Sequence, residues 1–359
     1  MELENDNTIF KYLKPMDNEI IGIYNKKEIM ELFGYINKYY LEYRDRLGVD
    51  ENITFGIEIE IDHFKGKPID YWPFQLRLNE IVGNDRWVTK NDWTLKWGRE
   101  IASDILFDNN KTWNNIKNVC ELSSMYGEID ITCASHIHVG SQIFGENTLY
   151  WYRFFKLWSI YENVIYRFCY GEYLTHRNKI CSYSMPTALF YDNRLSIIKD
   201  KLDSNVYEMI NSIKPRDMGE EKIKNFGMNY WHMLADNDYE LFEDFNKINY
   251  GATIEFKCPN GTLDEMIWQN NVNFVINFML YCKSENFNED ILSKRKIKVY
   301  DIYSNIYEYS NIYLEQAIEL SDLIFNNNLD KICFLRQYVK NFEINKDYYV
   351  KCKRFTMKK

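Results

Sequence analysis

No stretch of the 359-residue chain restricts its fold more than Thr54–Asp62, TFGIEIEID. Strict alternation of this kind belongs to a β-strand, where successive side chains point to opposite faces. Phe55, Ile57, Ile59 and Ile61 then share one face, and Gly56, Glu58, Glu60 and Asp62 the other. Carboxylates two residues apart on a strand stand about 6.5–7 Å from each other, so they repel unless a cation lies between them. Two readings follow: a half-exposed strand whose acidic face meets water, or a strand whose glutamates hold a divalent metal. The stretch alone favours the first.

Two further stretches alternate in the same way. Thr132–Gly140, TCASHIHVG, sets His136 and His138 against Ile137 and Val139. Ala252–Cys258, ATIEFKC, sets Thr253, Glu255 and Lys257 against Ile254 and Phe256. Gly98–Phe107, GREIASDILF, reads as another strand, while Lys65–Trp97 is rich in aromatics and mixed in pattern. Helical spacing marks Lys26–Leu47, Thr112–Tyr126 closed by Gly127, a long aromatic helix from Leu149, a segment ending near Ile213, and Ile312–Phe325. A turn at Pro259-Asn260-Gly261 leads into a helix running through Cys282, for which Thr262 and Glu265 have capping-box spacing. His176–Ser184 reads as a polar loop and Pro215–Glu221 as a turn region. Separate strands, each with one apolar and one chemically loaded face, fit a one-sided antiparallel sheet packed on helices, with its polar side forming a cup.

A chain of this length with 46% hydrophobic and 17% aromatic residues can bury a substantial core. Its formal charge of -9 argues against nucleic acid as a partner, since phosphate needs a basic surface. Leu149–Glu172 comes nearest to a membrane helix, but Arg153, Lys156, Glu162 and Arg167 interrupt it, so no membrane span is expected. The opening MELENDNTIF has neither the basic nor the apolar region of a secretion signal. The eight cysteines form no CxxC pair, which suits reduced thiols. A cytoplasmic protein is the expectation.

FGIEIE, the D-x-T and G-x-E-x-x-S patterns across Asp92–Ser103, SHIHVG, HRN around Arg177, and ATIEFK followed by GTLD occur in an order that resembles the amidoligase family. That family is related to glutamate-cysteine ligase and glutamine synthetase. The resemblance covers Thr54–Cys282. It implies an α+β fold in which a curved antiparallel sheet, packed by helices, forms a glutamine-synthetase-like catalytic funnel. A catalytic domain of residues 51–283 would then carry helical extensions, 1–50 at the N-terminus and 284–359 at the C-terminus. The implied activity is ATP- and Mg2+-dependent ligation of a carboxylate to an amine through an acyl phosphate, giving an amide or isopeptide bond. Small-molecule amine and carboxylate substrates, or a peptide, would be the partners.

Residue by residue, the resemblance makes Glu58, Glu60, Glu100, His136 and Glu255 metal ligands. Glu100, Ser103, Arg177 and Lys257 fall at the nucleotide, and His138, Arg177 and Lys257 take catalytic roles, the two cations beside the transferred phosphoryl group and His138 near the substrate. Carboxylates and imidazole suit hard divalent ions, and basic groups suit phosphate. Two positions depart from the family pattern: Lys257 stands where arginine is expected, keeping charge without bidentate geometry, and Asp104 replaces a proline. Asp62 reads as the polar end of its strand, Asp92 and Ser103 also suit turns, and His63, His176 and His232 read as structural. Two other functions fit the same residues: a metal-dependent hydrolase, and a catalytically inactive binding or structural module.

Overall fold

The structure is a computed structural model that describes residues 41–63, 72–83, 85–92, 94–95, 97–129, 132–170, 184, 187, 195–213, 224–230, 233, 252–294 and 311–339. Six strands, β1 (Phe55–Ile61), β2 (Val88–Lys90), β3 (Arg99–Ala102), β4 (Ser135–Gly140), β5 (Met228–Asn229) and β6 (Thr253–Phe256), form one antiparallel sheet in the order β2-β3-β1-β4-β6-β5. The described helices are α1 (Trp72–Val82), α2 (Asn110–Tyr126), α3 (Thr148–Tyr170), α4 (Leu195–Lys199), α5 (Val206–Ile213), α6 (Glu265–Lys283), α7 (Glu289–Lys294), α8 (Asn311–Ile324) and α9 (Asn328–Val339). The fold class is α+β, as the alternation implies.

The sheet is one-sided. Phe55, Ile57, Ile59 and Ile61, with Ile101, Ile137, Val139, Ile254 and Phe256 from its neighbours, are all buried. Phe55 stacks on Trp113 of α2 at 5.5 Å between ring centroids, and Phe256 meets Phe154 and Trp158 of α3 at 6.3 and 5.3 Å. Behind α3, Phe278 of α6 packs on Phe154 at 5.9 Å, and Phe334 of α9 stacks on Phe168 at 4.6 Å. Ring pairs of this kind add about 0.5–1.5 kcal/mol each to the area they bury, so the apolar side is fixed by packing and the opposite side is left for polar groups. No helix among the described residues is long and apolar enough to cross a membrane.

A seam of amides ties the helical layers together. Asn270 donates to the carbonyl of Cys333 and to Gln337 Oε1, both at 2.9 Å, Gln337 donates to Asn271 at 2.7 Å, and Asn273 donates to Asp330 at 2.7 Å. Arg44 joins the same carboxylate, with Nη1 2.6 Å from Asp330 Oδ1, and its backbone N–H donates to Gln269. The amides and Asp330 are buried and Arg44 is partly so, but each bond satisfies a partner that would otherwise cost about 1–3 kcal/mol to desolvate.

Several local expectations change. Residues 41–47 are not helical, and the earlier part of Lys26–Leu47 lies outside the described residues. The buried Asp108 carboxylate accepts the backbone N–H groups of Leu47, Gly48 and Val49 at 2.8, 2.8 and 3.1 Å, and so draws them out of any helical ladder. The strand expected through Gly98–Phe107 stops at Ala102. Between the paired positions Glu58↔Ala102 and Phe55↔Leu106 it carries one residue more than β1, a bulge in which Ser103 Oγ accepts the Ile57 N–H at 2.9 Å. Helix α6 is capped by Asp264, whose carboxylate accepts from Met266 and Ile267 at 3.0 and 3.3 Å, and not by a Thr262–Glu265 box. The helix begins at Glu265, so Thr262 lies too early, and its hydroxyl accepts the Asp264 N–H instead. Helix α2 starts two residues before Thr112, capped by Asn109, and closes at Gly127. Strands β2 and β5 and helix α1 come from stretches without a readable period. Pro215–Glu221 and nearly all of His176–Ser184 lie outside the described residues.

Candidate metal centre

On an antiparallel sheet, residues directly opposite one another share a face. The register places Lys90 opposite Glu100 and Glu100 opposite Glu60, then Glu58 opposite His136, and finally Gly56 opposite His138, His138 opposite Glu255 and Glu255 opposite Asn229. Three adjacent rows across the polar face therefore collect chemistry drawn from six strands. This is the period of two carried into three dimensions: once the isoleucines choose the core, the acids and imidazoles have no other side.

The contacts within the rows are short. His136 Nδ1 lies 2.9 Å from Glu58 and 3.4 Å from Glu255, while its Nε2 lies 3.4 Å from Glu60. His138 Nδ1 lies 3.2 Å from the Thr253 hydroxyl, which leaves Nε2 facing Glu58 at 3.5 Å and Glu255 at 3.9 Å. Glu60 accepts the Ala134 N–H at 2.6 Å and Glu255 accepts Asn229 Nδ2 at 2.7 Å, so the oxygens that remain point to the histidines. Lys90 Nζ lies 3.1 Å from Glu100 and 3.6 Å from Glu58, and Lys257 Nζ lies 3.4 Å from Glu255.

These distances set the protonation states. Burial works against a charged imidazole at His136, but the Glu58 hydrogen bond, with Glu60 and Glu255 beside it, outweighs this and lifts the pKa to about 9. Burial would likewise raise Glu58, yet hydrogen bonds from His136 and His138 hold it well below the usual carboxylate range. Glu60 has weaker compensation, and burial pushes it up to about 7. Glu100 is raised by burial and by the Glu58 charge. The cluster thus interleaves carboxylates with the His136 imidazolium and the Lys90 and Lys257 ammonium groups.

Three sets of donors each bring their ligand atoms within 4.8 Å of one another: Glu58, Glu100 and His136; Glu58, His138 and Glu255; and Glu60, Asp92 and Glu100. Glu58 belongs to the first two sets and Glu100 to the first and third. Carboxylate oxygens, joined by one imidazole in each of the first two sets and alone in the third, are donors that Mg2+ and Mn2+ accept, so the residues present fit such ions.

Of the residues singled out in the sequence, Glu58, Glu60, Glu100, His136, His138, Glu255 and Lys257 meet on this face. Ser103 stands beside it, its hydroxyl used on the Ile57 N–H and the Asp104 carbonyl. Asp104 caps its own bulge, accepting from Arg86 and Ile105. Asp62 is buried and accepts from Trp97 and His63 backbone N–H groups, a strand-end role. Asp92 both holds a turn, through Thr94, and joins a donor set. Arg177, His176 and His232 lie outside the described residues. Thr253 lies on the loaded face of its strand, as the alternation implies, whereas Lys90 and Asn229 are not readable from the chain: the strands bearing them have three and two residues, too few to display alternation. Comparison of the chain with family models, with curated proteins and with solved structures gives no match.

Proposed function

We propose that the protein is an ATP- and magnesium-dependent carboxylate-amine ligase that forms an amide or isopeptide bond through an acyl phosphate, with the polar face of the sheet as the wall of a glutamine-synthetase-like funnel. The observation that carries this reading is the sharing of Glu58 between two donor sets on one face of the sheet, the first completed by Glu100 and His136 and the second by His138 and Glu255. Neighbouring cation positions joined by one carboxylate suit a reaction that must bring two anions, a carboxylate and a triphosphate, together. The order of the amidoligase-like motifs supports the same choice over other two-metal chemistries.

Under this reading Glu58, Glu100 and His136 hold one ion and Glu58, His138 and Glu255 the other. Divalent cations held there would screen the substrate carboxylate from the triphosphate and would draw charge from the transferring phosphoryl group. The protein's own work is placement. Asn229 fixes the Glu255 carboxylate by its 2.7 Å hydrogen bond, and the Ala134 N–H fixes Glu60. Thr253 turns His138 so that Nε2 faces the site. Lys257 supplies a fixed positive charge for phosphate oxygens, with Arg177 as the second basic group carried over from the motif. Groups held in this way need no reorganisation as charge develops, which is where such sites gain rate.

The test is Mg2+-dependent ATP binding and ADP release with pooled amino acids and amines, comparing the parent with Glu58→Gln and Glu255→Gln. The ligase reading expects nucleotide binding by the parent, ADP only when both an amine and a carboxylate are present, and loss of turnover in both folded variants. A parent that binds no nucleotide ends the reading, and turnover of amides or esters without nucleotide replaces it with a hydrolase.

A further inference from the structure

We propose that Lys90 is the resident counter-ion of the Glu58–Glu100 pair, displaced when a divalent cation takes that position and then turned to a phosphate oxygen of the nucleotide. The second half rests on the ligase reading, while the first stands on the cluster alone. Lys90 Nζ lies 3.1 Å from Glu100 Oε1 and 3.6 Å from Glu58 Oε1. These are the two carboxylates that, with His136, bring ligand atoms within 4.8 Å of one another. An ammonium and a divalent ion seated on one pair of carboxylates repel at short range, so each weakens the other's hold on the pair.

Which cation yields follows from position. Lys90 lies on β2, an edge strand of the sheet, and its side chain is 51% exposed, against 19% for Lys257 and 12% for His136. Its four-carbon stem can swing the ammonium into water at small cost, since half-exposed ion pairs contribute little. Charge completes the picture. With Lys90 in place the two carboxylates keep one net negative charge; with a divalent ion they keep none, and Lys90 is left without its anions. A triphosphate is the anion that the proposed reaction brings to the same rim. Lys90 thereby holds the acidic pair together in the metal-free protein and becomes part of the anion site in the loaded one.

The experiment uses the full chain with Lys90→Met and Lys90→Arg, titrated with Mn2+ at pH 7.5 without nucleotide, free Mn2+ being followed by electron paramagnetic resonance. The expected result is about three- to tenfold tighter Mn2+ binding by Lys90→Met, with Lys90→Arg close to the parent. With Mn2+ saturating, inorganic tripolyphosphate is expected to bind Lys90→Met about three- to tenfold more weakly than the parent. Unchanged or weaker Mn2+ binding by Lys90→Met overturns the proposal, since a merely structural ion pair, once removed, would misplace Glu100 and loosen the metal. Unchanged tripolyphosphate affinity overturns the transfer to phosphate. Absence of Mn2+ binding in the parent removes the ligase reading as well, whereas Mn2+ binding that ignores Lys90 removes only the role given to this residue.

Discussion

Metal entry at this centre must expel a proton, and the amount can be worked out. His136 touches carboxylates through both ring nitrogens, which holds it as an imidazolium with a pKa of about 9. A metal-ligating histidine must be neutral. At pH 7.5 a group of pKa about 9 is roughly 97% protonated, so occupation of the Glu58–Glu100–His136 position releases about one proton. Glu60, at about 7, adds at most about a quarter of a proton. Removing the His136 proton at pH 7.5 costs about 2 kcal/mol, which holds the affinity about thirtyfold below its alkaline limit, with a gain of roughly tenfold per pH unit below about 9. The assay is calorimetric titration of Mn2+ in two buffers of different ionisation enthalpy, whose slope gives the number of protons released. The parent is expected near one and His136→Gln near the small share of Glu60. A parent slope close to zero, or a His136→Gln slope equal to the parent's, would refute the reasoning.

Other outcomes follow from the same contacts. Because the folded pKa of Glu60 lies above its ordinary value, its stabilising contribution is full below about pH 4.5 and is lost as pH rises through about 7. In chelator, Glu60→Gln should therefore exceed the parent in stability by about 1–3 kcal/mol at pH 8 and match it near pH 4.5, as read by urea unfolding at each pH. Asn229→Ala frees the Glu255 carboxylate to rotate and removes a donor from one of its buried oxygens, and should weaken Mn2+ binding by about 10–100-fold in direct titration and lower stability by about 1–3 kcal/mol in urea unfolding. Asp108→Ala removes the acceptor of three backbone N–H groups and of the Trp113 indole, and should cost about 3–5 kcal/mol in denaturant unfolding, with Mn2+ affinity in the folded protein preserved.

The parts of the molecule legible in the chain are those that obey a period. Phe55, Ile57, Ile59 and Ile61 and their counterparts in β4 and β6 alternate for long enough to assign both faces, and that assignment alone brings Glu58, His136, His138 and Glu255 to one side. What was hidden has physical reasons. Two edge strands of three and two residues present no pattern, so Lys90 and Asn229 are found only through the register. The stop at Ala102 depends on a serine hydroxyl bonding a backbone group 46 residues away, and the unwinding before Gly48 on a carboxylate 60 residues on. Such long-range captures override local propensity and leave no trace in a window of ten residues.

The amide seam along α6 has a consequence for anyone trimming the chain. Asn270, Asn271 and Asn273 find their partners on α9, and Gln269 finds its own in Arg44, so one helix is the clasp between the two ends. A fragment ending at Lys283 would strip Asn270, Asn271 and Asn273 of those partners and open to water the rings of Phe168 and Phe274 that Phe334 covers, and its failure to express would say nothing about the chemistry on the far side of the sheet.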